Sequence, residues 1–248
     1  MCRNVIFVLA FIVGITHYAS ARIVKTTSEC TPEEHWVSPH NRDRNGKLEF
    51  VTGHCRTNPN GYKFWSQKIT NARPKGWPYK KERTKSWKVN EKEDVICALA
   101  TLPEALWLKN LKGIYRMEKS KDYPNPASSG ERHIVLYNEA FTSSKTPLNR
   151  VLVHELAHEN YRALSDADRN AYHMSTNWYE IKDKGWIQRK EGYVRESGKV
   201  FPTEDFANNV EYFLFEPEKL KVTTPHAYTW IKNYFGVNFE VKEVACGN

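Results

Sequence analysis

Hydrophobic positions along this chain recur in two periods, and the switches between them outline its elements. From Glu91 to Leu108, Val95, Leu99 and Leu102 follow helical spacing, with Pro103 as a break point. Leu111–Met117 and His133–Tyr137 are short apolar runs that predict strands. From Leu148 to Leu164 the apolar residues return to near-helical spacing, with no Gly or Pro inside the run. Thr146 is placed to cap this helix, and Pro147 suits its first position. A short helix from Ser165 to about Met174, another from Thr203 to Leu214 and a last one over Trp230–Phe235 complete the pattern. Leu48–Val51, after the Asn45-Gly46 turn signal, predicts one more short strand. Strands and helices in this arrangement predict an α+β domain with a small mixed sheet.

The ends of the chain carry different signals. Arg3 precedes an apolar run over Val5–Ile15, and Ala19-Ser20-Ala21 has the small-x-small form of a cleavage site. Residues 1–21 are therefore expected to be a secretory signal peptide, too short in its apolar part to span a bilayer. Residues 22–60 are polar and read as an N-terminal extension pinned by a disulfide. Residues 61–248 then form one domain. Cys30, Cys55, Cys97 and Cys246 remain in the exported chain, and the favoured pairing is Cys30–Cys55 with Cys97–Cys246. No Cys-x-x-Cys occurs, which argues against a thiolate metal site. The expected setting is extracellular, with no stable membrane insertion and a monomeric state.

The formal net charge is +8, moderately basic and mixed in sign along the chain. Aromatic residues interleave with Lys between Tyr62 and Trp87, but no nucleic-acid-binding motif accompanies them. They are expected to cover the domain core, and no nucleic-acid partner is expected. His35, His40 and His54 lie in turn-rich sequence without ligand spacing to one another, so solvated rings are expected there.

The chemistry is concentrated in His154-Glu155-Leu156-Ala157-His158. Residues four apart share a helix face, so the two imidazoles can reach one metal ion. Glu155 follows the first of them, where its carboxylate can take a proton from water at the metal. Catalytic zinc asks for such neutral nitrogen or carboxylate ligands, an open position and a nearby base. Two imidazoles leave the ion short of a ligand. In one known class a third histidine lies six residues on, with a glycine between; those positions here are Leu164 and Tyr161. The alternative is a carboxylate from a later helix. Pro202-Thr203-Glu204-Asp205-Phe206-Ala207 offers Glu204, with Asp205 as its neighbour and competitor. Asn208 and Glu211 share the Glu204 face and could orient a histidine, although exposed positions suit them equally well. His133 is expected as a surface histidine at a strand end.

HELAH at 154–158 followed by TEDFA at 203–207 resembles the glutamate-zincin peptidases, or gluzincins. The Arg73-Pro74-Lys75-Gly76-Trp77 segment, Trp87, the strand before the motif and the Glu-Asp-Phe-Ala helix resemble the catalytic domain of anthrax lethal factor-like metallopeptidases, over roughly residues 60–220. The resemblance implies a zincin-like domain with one catalytic Zn2+ held by His154, His158 and Glu204. It implies Glu155 as general base in the hydrolysis of a protein or peptide substrate. Members of that group often carry a tyrosine seven residues before the ligand glutamate; Ser197 occupies that position here. Tyr193 lies nearby and is the expected donor to the oxyanion. In many zinc peptidases an edge strand ahead of the metal helix receives the substrate backbone, and Ile134–Tyr137 is the expected strand.

Overall fold

The computed structural model describes residues 30–31, 33–37, 39–44, 46–58, 61–77, 82–120, 124–142, 146–181, 185–188, 192–236 and 238–242. The expected signal peptide and Cys246 lie outside the described residues. Strands β1 (Glu34–Val37) and β4 (His54–Thr57) pair antiparallel, and β2 (His40–Arg44) and β3 (Lys47–Val51) form a separate hairpin between them. Gly46, with φ of 79°, supplies the left-handed residue of that hairpin turn. Cys30 and Cys55 form the expected local disulfide, across 25 residues. Cys97 is also disulfide-bonded.

After α1 (Tyr62–Ser66) comes a four-stranded sheet built from β5 (Ile69–Thr70), β6 (Gly113–Arg116), β7 (Ala127–Gly130) and β8 (His133–Leu136). Its order is β5-β6-β8-β7; the first three run parallel and β7 runs antiparallel to β8. Every residue of β6 and β8 is buried, as suits strands covered on both faces, and each strand carries one buried polar side chain, Arg116 in β6 and His133 in β8. In register, Ile114 pairs with Ile134 and Tyr115 with Val135. Alternation sends Ile114, Ile134 and Leu136 into the main core, and Tyr115, Val135 and Tyr137 into a second cluster with Trp77. Glu82 joins that cluster by accepting from Trp77 Nε1 at 2.7 Å and from the Tyr137 hydroxyl at 3.0 Å.

The sheet's main-core face is covered by α2 (Val89–Ala100) and α4 (Leu148–Ala163). The predicted helix over 91–108 ends early, at Ala100; Pro103 then leads into a short 3-10 turn at Glu104–Leu106. Proline lacks the N–H that would continue the ladder. Arg116, on β6, reaches α2 from inside the core. Its guanidinium donates to Glu91 at 3.1 and 3.0 Å, and both side chains are almost wholly buried. The short α3 (Glu139–Thr142) precedes α4. At α4 itself Pro147 has ψ of 145° and occupies the cap position rather than the first helical one, so the helix starts at Leu148.

Ser165 caps α5 (Asp166–Ser175) by accepting from the Asp168 amide at 3.1 Å. The β9 (Trp178–Ile181) and β10 (Gly185–Gln188) hairpin follows. Then come α6 (Pro202–Phe215), α7 (Pro217–Thr223) and α8 (Pro225–Phe235), each with proline in its first turn. The polar sequence of α7 gave no apolar period to read, and α8 begins five residues before the predicted last helix. Helices α4 and α6 pack side by side through Leu152, Leu156, Phe206 and Val210 in the main core. The architecture is α+β. Among the described residues no helix is long and apolar enough to cross a membrane.

Candidate metal centre

Helix α4 brings His154 and His158 onto one face, with ring centroids 4.7 Å apart. Glu204 enters from the first turn of α6. The two Nε2 atoms are 3.1 Å apart. Glu204 Oε1 lies 3.2 Å from His158 Nε2, and Oε2 lies 3.6 Å from His154 Nε2. A tetrahedral ion with bonds of about 2.0–2.1 Å holds its ligand atoms roughly 3.3–3.4 Å apart. The three observed separations bracket that edge. The two imidazole nitrogens and the Glu204 carboxylate, which meets each ring through a different oxygen, are thus close enough together that they could hold a single metal ion.

The charge of the cluster also favours a cation. Burial alone would lower the pKa of His154, but the carboxylates of Glu204 and Glu211 outweigh it and push it up to about 9. Burial would raise the Glu204 carboxyl, yet hydrogen bonds from His154 and His158 hold it well below the usual carboxylate range. Glu204 also stands at the N-terminus of α6, where the helix dipole favours negative charge.

The next shell of side chains is built for orientation. Thr203 Oγ1 is 3.0 Å from His158 Nδ1. Glu211, two turns along α6 from Glu204, places Oε2 3.4 Å from His154 Nδ1. Glu211 and Asn208 are both buried at 1 % exposure, not at the surface. Two arginines fix Glu211: Arg150 Nε donates to it at 2.8 Å, and Arg195 grips both oxygens at 3.0 and 2.9 Å. Burial would raise the Glu211 carboxyl, but His154 and these arginines lower it. Ring orientation by buried carboxylates is the usual support of a metal-bound histidine.

Asp205 faces elsewhere. Consecutive helix positions diverge by about 100°, so it points into the aromatic core behind α6. There its Oδ2 accepts from the Tyr172 hydroxyl at 2.9 Å and Trp178 Nε1 at 3.0 Å. Burial pushes its pKa up to about 6 in spite of these donors. The structure thus brings Glu204, not Asp205, to the imidazoles.

Beside the cluster opens a cavity of about 570 Å³. Glu155 lines it next to His154, His158 and Glu204. The residues of β7, and Glu131 after them, also line the cavity. This corrects the expected edge: Ile134–Leu136 lie in β8, which is flanked by β6 and β7, and among the described residues β7 is the sheet edge on that side. Tyr137 N–H bonds to Pro126 C=O at 2.9 Å. Antiparallel alternation then turns the main-chain groups of Ala127 and Ser129 away from β8. The turn between β7 and β8 uses Glu131 and Arg132 at φ of 50° and 67°. Glu159, one residue past His158, accepts from the Arg132 amide at 2.9 Å and from the Arg162 guanidinium.

Two further expectations change. His133 is a buried residue lining the cavity, not a surface histidine; burial lowers its pKa. Tyr193 is not among the residues lining the cavity. Its ring lies 6.3 Å from that of Trp178, with Lys199 over its face. Ser197 and Arg195 line the cavity instead. No periodicity or spacing marked Arg150, Arg195 or Thr203; the packing of α4 and of the segment before α6 against α6 assembles them. Compared with family models, curated proteins and solved structures, the chain matches none.

Proposed function

We propose that this chain is a secreted zinc endopeptidase with a zincin-like domain. The observation that carries the reading is the His154, His158 and Glu204 cluster with Glu155 beside it, in a cavity that the edge strand β7 also lines. His154, His158 and Glu204 would hold the ion, and imidazole with carboxylate donors suits zinc. When bound, zinc supplies Lewis-acid polarisation of a carbonyl and acidifies water. Glu155 takes a proton from the attacking water and delivers it to the leaving amide nitrogen. Glu211 and Thr203 keep the two imidazoles in register from behind. The outward main-chain groups of Ala127 and the outward N–H of Ser129, whose carbonyl accepts from Arg162 at 3.5 Å, pair with the backbone of an extended peptide, so a protein or peptide segment is the substrate class. The apolar leader over residues 5–15, the small-residue site before Arg22 and the Cys30–Cys55 disulfide support an extracellular setting.

One observation favours a second reading, a zinc-binding protein without turnover: Tyr193 does not line the cavity. Metal content and a peptide-library cleavage profile on native and Glu155→Gln protein separate the two. The peptidase reading expects about one zinc per chain in both proteins and cleavage by the native one alone. Stoichiometric zinc with no cleavage by either protein would leave the second reading. Unchanged cleavage by the variant would remove Glu155 as the base.

A further inference from the structure

If Tyr193 does not face the substrate, the carbonyl oxygen that gains charge during hydrolysis needs another donor. Arg195 lines the cavity, and its side chain is 38 % exposed. A guanidinium has five N–H groups in a fixed plane. Two are held by Glu211 at 3.0 and 2.9 Å, and a third reaches Asn208 Oδ1 at 3.5 Å. Nε–H and one Nη2–H have no partner among the described residues. The guanidinium also lies 5.5 Å from the centroid of the Tyr212 ring. It is therefore held by a buried carboxylate and an aromatic ring, with donors to spare, beside the carboxylate that contacts His154. A donor fixed before reaction stabilises developing charge without reorganising, which is the requirement for this role.

We propose that Arg195 is the hydrogen-bond donor to the substrate carbonyl at this site. The inference rests on the peptidase reading. As the water oxygen bonds to the carbonyl carbon, the carbonyl π pair moves onto oxygen, and the free N–H groups of Arg195 take up that charge. The proton released from water goes to Glu155. Lysine at this position would keep the charge but lose the planar grip on Glu211, so the two are not interchangeable.

Arg195→Ala, Arg195→Lys and Glu211→Gln separate this role from support of His154. For Arg195→Ala the expectation is a fall in kcat of about 10²-fold or more with KM within about threefold, and zinc content unchanged. Added guanidinium ion should restore part of that loss, and Arg195→Lys should recover little. Glu211→Gln should instead weaken zinc retention, by about 10–100-fold. A second readout needs no turnover. Zinc-loaded Glu155→Gln protein, with and without Arg195→Ala, is titrated with a phosphinic peptide, whose tetrahedral anion mimics the charged carbonyl, and with the uncleaved peptide of the same sequence. Arg195→Ala should weaken the phosphinic peptide about 10²-fold and the ordinary peptide less than about threefold. Native-like kcat in Arg195→Ala, or equal weakening of both peptides, overturns the proposal and leaves the peptidase reading standing. Zinc loss from Arg195→Ala without guanidinium rescue would reduce Arg195 to a positioning residue for Glu211. Absence of hydrolysis and of phosphinic-peptide binding in the native chain removes the peptidase reading as well.

Discussion

Replacing Glu204 and Asp205 by alanine, one at a time, should split metal binding from folding, because adjacent carboxylates serve opposite sides of one helix. Glu204 contacts both imidazoles, its side chain is 33 % exposed, and the two imidazoles it leaves behind line the cavity with their Nε2 atoms 3.1 Å apart, so its loss should cost little stability. The candidate metal cluster, however, loses its only carboxylate. Disturbing an outer-shell partner already costs about 10–100-fold in metal affinity, so loss of a direct ligand should cost at least roughly 100-fold. Asp205→Ala acts the other way. It leaves Tyr172 OH and Trp178 Nε1, both buried, without their acceptor. Each of the two orphaned donors costs about 1–3 kcal/mol, so the variant should lose roughly 2–6 kcal/mol. In a domain of this size that is a fall in Tm of about 4–24 °C. Burial of the Asp205 charge offsets part of this, which places the expectation toward the lower end. Zinc affinity is read by competition with a chromophoric chelator, and Tm by calorimetry on chelator-treated protein. A larger loss of zinc affinity in Asp205→Ala than in Glu204→Ala would refute the assignment of the two side chains.

Two further perturbations test what holds the site's scaffold. Arg116→Met leaves Glu91 as an uncompensated buried charge and should cost about 3–5 kcal/mol at neutral pH. Burial would raise the Glu91 pKa, but hydrogen bonds from Arg116 bring it below its usual 4.5. Its contribution is therefore present above pH 4.5 and lost as pH falls through the folded value, so the Tm gap between native and variant protein should narrow in acid. A gap independent of pH would rule out the Glu91 charge as its cause. Glu159→Ala frees the Arg132 amide in a turn that already carries two left-handed residues without glycine. It should cost about 1–3 kcal/mol and raise KM for peptides more than it lowers kcat, since β7 would lose its tie to α4. A variant with native KM would show that the edge strand does not depend on this anchor.

Much of the framework was legible locally. Helical spacing in 148–164 placed His154 and His158 on one face, because two residues four apart need nothing beyond the helix to be neighbours. The same holds for Glu204 and Glu211 on α6, and for the buried strands at 113–116 and 133–136. Elements with weak periods were not legible: α7 is polar, and β7, with the sequence Ala-Ser-Ser-Gly, has no alternation to read.

What the chain by itself determined is the set of groups able to bind a cation and the helices that carry them. Tertiary structure alone decided which members of that set meet. The rotation of α6 against α4 chose Glu204 over Asp205, drew Glu211 and two arginines behind His154, and left Tyr193 against Trp178. Strand order, set by pairing between residues distant in sequence, made β7 and not β8 the sheet edge on that side among the described residues. Local spacing encodes contacts within an element, whereas the mutual orientation of two elements depends on how their whole buried faces fit together.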